Sequence, residues 1–461
     1  MRNISDDLDH PSDLSDARAA SHSFDVTNRM VFSIAVPMTL AYLTTPLLGL
    51  VDTGVIGQFG DAALIGGLAI GAIAFDLVFT SFNFLRSATT GLVAQAFGAR
   101  NALEEQAVFW RSLSIGVVCG LAVVLAAPVL IALGQWFMAP GPAVADAMAT
   151  YIGIRVLSAP AALANYAILG FVLGRGEGMM GLGLQTLING ANIALSIWLG
   201  LLLGHGIAGV AAGTVIAEFI GLLAGLAIVL NRFRLIQRPS VAQIVNRAAI
   251  RRLLSLNRDI MIRSFALIFS FALFTRVGTG FGEVTLAANA ILMNVFLVAG
   301  YYLDGFATAA EQIVGRSIGA RYRPAFDRAI RLTLLWGLLL AGLTTLFFLL
   351  MGNTLIAVMT TAEDVRAAAF AYLPYAAITA LSGVLAFQMD GVYLGATWSR
   401  DIRNMMLVSL AVFVVLIGLL VPGFGNTGLW IAFNLFLLTR GLALATMLPR
   451  RARLTFARAK G

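Results

Sequence analysis

Asp52 is the one charged residue in the apolar run from Met30 to Ile56. A carboxylate in a stretch long enough to cross a bilayer is costly unless it faces a hydrated interior. Held where wet and dry surroundings alternate, such a group takes up a proton in one state and releases it in the other, the elementary step of proton coupling. Gln185, Asn189 and Asn192 are spaced four and three residues apart, which puts the three amides on one helical face. Amides donate to an ionised carboxylate and accept from a protonated one, and Thr214 in the next apolar run adds a hydroxyl. The alternative role for Asp52 is structural: capping a bend beside Pro46 or Gly54, or packing the helices around it.

Secondary candidates are scattered through other apolar runs. Glu218 either joins the Asp52 cluster or satisfies a neighbouring helix end. Asp76 and Asn83, seven residues apart, share a face, with Arg86 following as an anchor. In the second half, Asp304 and Glu311 have the same spacing, and either a wet cleft or the arginines that follow would satisfy them. Asp390, in AFQMDGVYLGATWSRDIRN, would terminate a broken helix, pair with an arginine or gate one side. Pro37 and Pro46 lie ahead of Asp52 in the same run, where each removes a backbone hydrogen bond and lets a helix bend.

The elements that position these groups are membrane-spanning helices. Of 461 residues 59% are hydrophobic and 12% charged, about half the charge of a water-soluble protein, and the mean hydropathy is +0.88. Windows of about 19 residues give twelve spans, the first beginning near residue 30 and the last ending near 447. The expected fold class is an all-α integral membrane protein. Arginines concentrate in alternate gaps: around Arg86, Arg100 and Arg111, from Arg232 to Arg263, from Arg316 to Arg331, at Arg400 and Arg403, and in the tail. By the positive-inside rule both termini are cytoplasmic. That distribution also accounts for the net charge of +8 without a nucleic-acid partner.

An offset of 221 or 222 residues aligns the two halves. It sets FGDAALIG, starting at Phe59, on FGEVTLAA, starting at Phe281. It also sets VAQAFGAR on VGRSIGAR, and Gly170, Leu173 and Gly174 on Gly391, Leu394 and Gly395. Six spans per unit is an even number, so both units enter the membrane in one orientation and are related by an axis along its normal. The expected organisation is a disordered cytoplasmic lead over 1–28, an amino-terminal bundle over 29–230, a basic linker over 231–259, a carboxyl-terminal bundle over 260–448 and a basic tail over 449–461. Two parallel bundles with a cleft between them suit an alternating-access carrier. The sequence has no re-entrant filter motif of the kind a channel would carry.

The lead has six aspartates and no apolar core, so it does not read as a cleavable signal. Cys119 is the only cysteine, which rules out an internal disulfide or thiolate cluster. His10, His22 and His205 stand beside no nucleophile or ligand set, so neither an enzyme nor a metal site is expected. The thirty phenylalanines would suit a cleft that binds planar or amphipathic solutes, although lipid-facing helices use the same residue.

The segments IAVPMTLAYLTTPLLGLVDTGVIGQFGDAALIGGLAIG, GLVAQAFGAR and DGVYLGATWSRDIRNMM resemble the multidrug and toxic compound extrusion (MATE) transporters, in the branch named for DNA-damage-inducible protein F, over about residues 30–450. The resemblance implies two six-helix lobes in a V and a monomeric bacterial inner-membrane protein among membrane lipids. It also implies export of small organic cations or amphipathic solutes in exchange for protons or sodium ions. It places the family's first-helix aspartate at Asp52 and its polar cluster at Asn189 or Asn192, with Thr214. The second acid of some members' fifth span is absent, since QTLINGANIALSIW carries only amides there. Span 7 is apolar from Ser264 to Thr275, so the carboxyl-lobe acids of sodium-coupled relatives have no clean counterpart. The expected coupling ion is therefore the proton, with sodium as the alternative and no cofactor. Other readings on the same architecture are a lipid-linked oligosaccharide flippase, which would need a cationic cleft, and a non-transporting scaffold or ion channel.

Overall fold

The computed structural model describes residues 22–234 and 236–457, which include no strand. Most of the proposed lead and the last four residues of the tail lie outside them. Fifteen α-helices follow in order: α1 (Asn28–Gly57), α2 (Ala62–Phe82), α3 (Phe84–Gly98), α4 (Ala102–Leu125), α5 (Ala127–Met138), α6 (Pro142–Arg155), α7 (Ala159–Gly174), α8 (Gly178–Leu195), α9 (Gly206–Phe233), α10 (Val241–Ile244), α11 (Arg247–Gly278), α12 (Glu283–Gly319), α13 (Arg323–Met359), α14 (Glu363–Gly395) and α15 (Ser399–Ala457). Polar caps start several of them: Thr27 accepts from the Met30 amide, Asp61 from Ala63, Asn101 from Glu104, and Asn246 from Ala248 and Ala249.

The helices group into twelve crossings. α2 and α3 form one bent span at Asn83, α4 and α5 another, and α6 and α7 a third through a 3-10 turn ahead of Pro160. At 59 residues α15 would be about 90 Å long if straight, far more than a bilayer is thick. It is two spans, divided where Gly425 leaves the helical region (φ 55°, ψ −133°). Large apolar side chains cover the outside, with Leu125 and Val358 each 83% exposed, as helices in contact with lipid chains require.

The internal repeat is written into the backbone. Gly60 and Gly282 have φ of 66° and 90°, Arg100 and Arg321 of 54° and 52°, Gly176 and Thr397 of 80° and 57°, and Gly204 and Gly425 of 72° and 55°. Each pair is separated by the offset that aligned the sequences. Four loops that turn through the left-handed region at equivalent positions are hard to obtain except from one duplicated unit.

The two lobes touch where α1 and α3 cross α12. Val31, Ile34, Ala35 and Met38 of α1 share a core with Phe306, Ala309, Ala310 and Ile313 of α12. A Cβ at Gly98 would overlap the Arg316 carbonyl, and one at Gly319 the Gln95 carbonyl, a reciprocal contact between repeat-related residues. Gln95 donates to the Gly395 carbonyl at 2.9 Å, and Arg252 donates to Gln95 and to Thr397 at 3.2 and 3.1 Å. Gln312 reaches the Gly174 carbonyl, and Tyr42 meets Thr308 at 3.0 Å. Apart from the Tyr42 contact, which is at mid-length of α1, these links lie at the end that carries the arginine-rich loops. Gly319→Val is expected to force the backbones apart there and to lower stability by about 1–3 kcal/mol, read as the thermal unfolding midpoint of the purified protein. An unchanged midpoint would contradict the close crossing.

The basic segment between the lobes is more ordered than a linker over 231–259 implies. Only about the first half is extended or short helix, and it is tied to α4: Arg111 donates to the Gln243 and Ile244 carbonyls at 2.7 and 3.0 Å, and Gln106 to that of Gln237 at 3.0 Å. From Arg247 onward the chain is already the seventh span. There Asp259 is buried between Arg403 at 2.7 Å and Ser399 at 3.0 Å. α1 runs unbroken through Pro37 and Pro46.

Candidate functional site

Asp52 lies on α1 near its far end, buried, and its Oδ1 has no hydrogen-bond partner among the described residues. Beside it stands Ser196, which opens a π-helical turn over Ser196–Leu202 and donates to Asn192 at 3.3 Å. A π turn widens the helix by one residue per turn, and such bulges recur at functional sites.

The amide shell expected around Asp52 divides in two. Gln185 donates to Asn189 at 3.0 Å, and Asn189 donates to Thr44 at 2.6 Å. Thr44 is eight residues before Asp52, about 12 Å along the helix axis. α1 and α8 run the same way, so Asn189 meets Thr44 while Asn192 and Ser196 reach the level of Asp52. Thr214 bonds back to the Val210 carbonyl of its own helix at 3.2 Å. Ser196 was legible as the next member of the stripe, four residues beyond Asn192, but the amides drew attention away from it.

A cavity of about 350 Å³ opens inside the amino lobe, lined by Asp76, Arg86, Arg155, Gln185, Asn189 and Glu218 among others. Asp52, Asn192 and Thr214 are not part of its wall. Asn165 on α7 donates to a Glu218 carboxylate oxygen at 2.8 Å and to the Glu218 carbonyl at 2.9 Å, so Glu218 braces α7 against α9. Arg155 lies over the rings of Phe75 and Phe79, 5.4 and 5.2 Å from their centroids.

A second cavity, about 480 Å³, lies between the lobes and shares Tyr42, Thr45, Thr80, Asn83 and Arg86 with the first. Its carboxyl-lobe wall holds Arg263, Asp304, Glu311, Asp390 and Arg440. Asp390 does not end a helix, since α14 continues to Gly395. It pairs with two arginines, Arg263 of α11 and Arg440 of the second limb of α15, so one carboxylate fastens three spans. Among the described residues no ion pair joins Asp304 or Glu311 to Arg316 or Arg323. The charge that acts on both most strongly is Arg86, reaching across from the amino lobe, followed by Arg263.

Arg86 and Arg263 are the residues that sequence reasoning misplaced, as loop and anchor charges. Windows of 19 apolar residues end a span at its first arginine, whereas here the helices continue past both with their guanidinium groups in the cavity. Among the described residues no group of histidine, cysteine, aspartate and glutamate is arranged to hold a metal ion. Cys119 is free and half-buried.

Comparison with known proteins agrees with this architecture. The MatE family model matches residues 37–198 and again 260–420, once in each half. DNA damage-inducible protein F of Escherichia coli (strain K12) is 36% identical over 430 residues, 93% of each chain. A probable multidrug resistance protein NorM of Chromobacterium violaceum is 25% identical, over 94% of this chain and 96% of its own. The solved structure of a MATE protein in the bent conformation has the same fold, with a TM-score of 0.87 at 15% identity over 94% of this chain and 97% of that one. Two repeated six-helix lobes, a charged cavity between them and a family match in each half identify the chain as a membrane transporter of the MatE family.

Proposed function

We propose that the protein exports organic cations or amphipathic solutes across a bacterial inner membrane in exchange for protons, by alternating access, with both termini in the cytoplasm. The observation that carries this reading is the contrast between two buried acids. Asp390 is held by two guanidinium groups, whereas among the described residues Asp52 has no ion pair and one oxygen without a partner. An acid without a fixed counter-charge is free to be neutral in a dry state and ionised in a wet one, which a coupling group must be.

Two further features support it. With the arginine-rich loops on the cytoplasmic side, the crossing at Gly98 and Gly319 and the hydrogen bonds of Gln95 and Arg252 hold the lobes together at that end, the kind of contact an alternating-access carrier must make and break. The proline-bearing α1 carries Asp52 near one end and, through Tyr42, a lobe contact at mid-length, so a change at the acid has a helix through which to act.

The test is transport of ethidium into proteoliposomes under a proton gradient or a sodium gradient of equal size. Accumulation driven by protons alone is the expected result. Stimulation by sodium alone would replace the coupling ion, and no gradient-dependent movement would remove the exchange mechanism.

A further inference from the structure

On the arginine-rich end of the molecule several arginines meet acids: Arg111 pairs with Glu104, Arg175 with Glu105 and Arg232 with Glu177. Around the start of α11 they do not. A hollow of about 680 Å³ between α11 and α15 is lined by Arg247, Arg251, Arg252, Arg400 and Arg451 against a single acid, Asp401. Arg451 takes that acid at 2.5 Å, and Arg252 donates to Gln95 and Thr397. Arg247, Arg251 and Arg400 are exposed, and their guanidinium groups have no ion pair or side-chain hydrogen bond among the described residues. Two helices also begin here, α11 at Arg247 and α15 at Ser399. A helix start already carries partial positive charge, so arginines at both raise the potential further, and an anion in the hollow would relieve it. Orienting the spans needs basic loops but does not need five guanidinium groups around one hollow.

The hollow lies at the depth of a bilayer interface. From Arg258 to Gly278 α11 rises about 30 Å, the thickness of the hydrocarbon layer. Asp259 therefore marks the edge of that layer, and Ser399, which donates to it, sets part of the hollow's wall at the same level. Trp398 lines the wall there, the usual depth for an indole. Arg247, Arg251, Leu254 and Arg258 follow one another at intervals of four, three and four, a single stripe along α11, and Leu254 is 50% exposed. Guanidinium groups on either side of an exposed leucine suit a face laid against head groups and the tops of acyl chains. A soluble phosphate would use the arginines but has no use for the leucine.

We propose that this hollow binds the phosphate head group of an acidic phospholipid in the leaflet on the arginine-rich side, with Arg247, Arg251 and Arg400 on the phosphate. A guanidinium presents two parallel donors to phosphate oxygens, which suits three that have no acid of their own. The hollow shares no lining residue with the interlobe cavity, so its ligand is distinct from the transported solute.

The test is microscale thermophoresis of the full-length protein in detergent micelles, with three probes: dihexanoyl phosphatidylglycerol, dihexanoyl phosphatidylcholine and inorganic pyrophosphate. Phosphatidylglycerol is expected to bind about tenfold tighter than phosphatidylcholine, and more tightly than pyrophosphate. Arg251→Gln combined with Arg400→Gln removes two side chains without protein partners, and is expected to weaken phosphatidylglycerol about tenfold while leaving phosphatidylcholine unchanged. Arg328→Gln combined with Arg331→Gln removes the same charge from exposed positions on α13, outside the hollow, and is expected to leave phosphatidylglycerol binding unchanged. Equal affinity for the two lipids, or equal losses in both double variants, would overturn the site. Pyrophosphate binding tighter than phosphatidylglycerol would overturn the lipid as its occupant in favour of a soluble phosphate.

Discussion

Asp52→Asn is expected to abolish proton-driven uptake of ethidium in proteoliposomes, a loss of at least about a hundredfold, while the protein folds and still binds ethidium. The substitution preserves shape and hydrogen-bonding capacity but cannot take up or release a proton. Ser196 and Asn192, the polar neighbours at the level of Asp52, can serve an amide as well as an acid, so the local packing has no reason to fail. Binding is expected to survive because Asp52 lies in the wall of neither cavity. Transport by the variant equal to that of the unaltered protein, at matched protein content, would return Asp52 to a structural role.

The second large effect is on stability. Asp390→Asn leaves Arg263 and Arg440 side by side without their shared carboxylate, both at least largely buried. Breaking a buried ion pair from one side costs about 3–5 kcal/mol, because the remaining charge is left uncompensated. The variant is expected to unfold at a clearly lower temperature or denaturant concentration. Combining it with Arg263→Gln should recover part of the loss, since only one guanidinium then needs a partner. A single variant as stable as the unaltered protein would show that water reaches the triad freely.

Much of this was legible before the structure because membranes constrain sequences strongly. Apolar length set the number of crossings, and the duplicated glycine and arginine positions at Gly98, Arg100, Gly319 and Arg321 carried the two-lobed architecture; Arg100 and Arg321 turn the chain through the left-handed region, and Gly98 and Gly319 leave room for the opposite lobe's backbone. Asp52 stood out because nothing else in its run is charged.

What escaped was register between helices and the true length of the spans. Periodicity along α8 places Gln185, Asn189 and Asn192 on one face but says nothing about which level of α1 each meets. The amides consequently divide between Thr44 and the surroundings of Asp52. Hydropathy windows read Arg86 and Arg263 as boundaries, when each is an interior charge balanced by acids from the other half or from another helix of its own. The cleft is therefore more cationic than its apolar runs suggest, but Asp304, Glu311 and Asp390 balance its arginines, and the diphosphate of a lipid-linked oligosaccharide would face their repulsion.

The bend of α15 at Gly425 had a sequence signal as well, because its repeat mate Gly204 separates two spans that were resolved. Pro37 and Pro46 both lie inside α1, where each removes one backbone hydrogen bond without ending the helix.

The central claim is that Asp52 changes its protonation as solute binds and the lobes rearrange. It is tested most directly by counting protons: the full-length protein in weakly buffered solution is mixed with saturating ethidium, and the release is followed with a pH indicator dye. The account predicts proton release by the unaltered protein and its loss in Asp52→Asn at equal ethidium occupancy. Equal release from both proteins would contradict it.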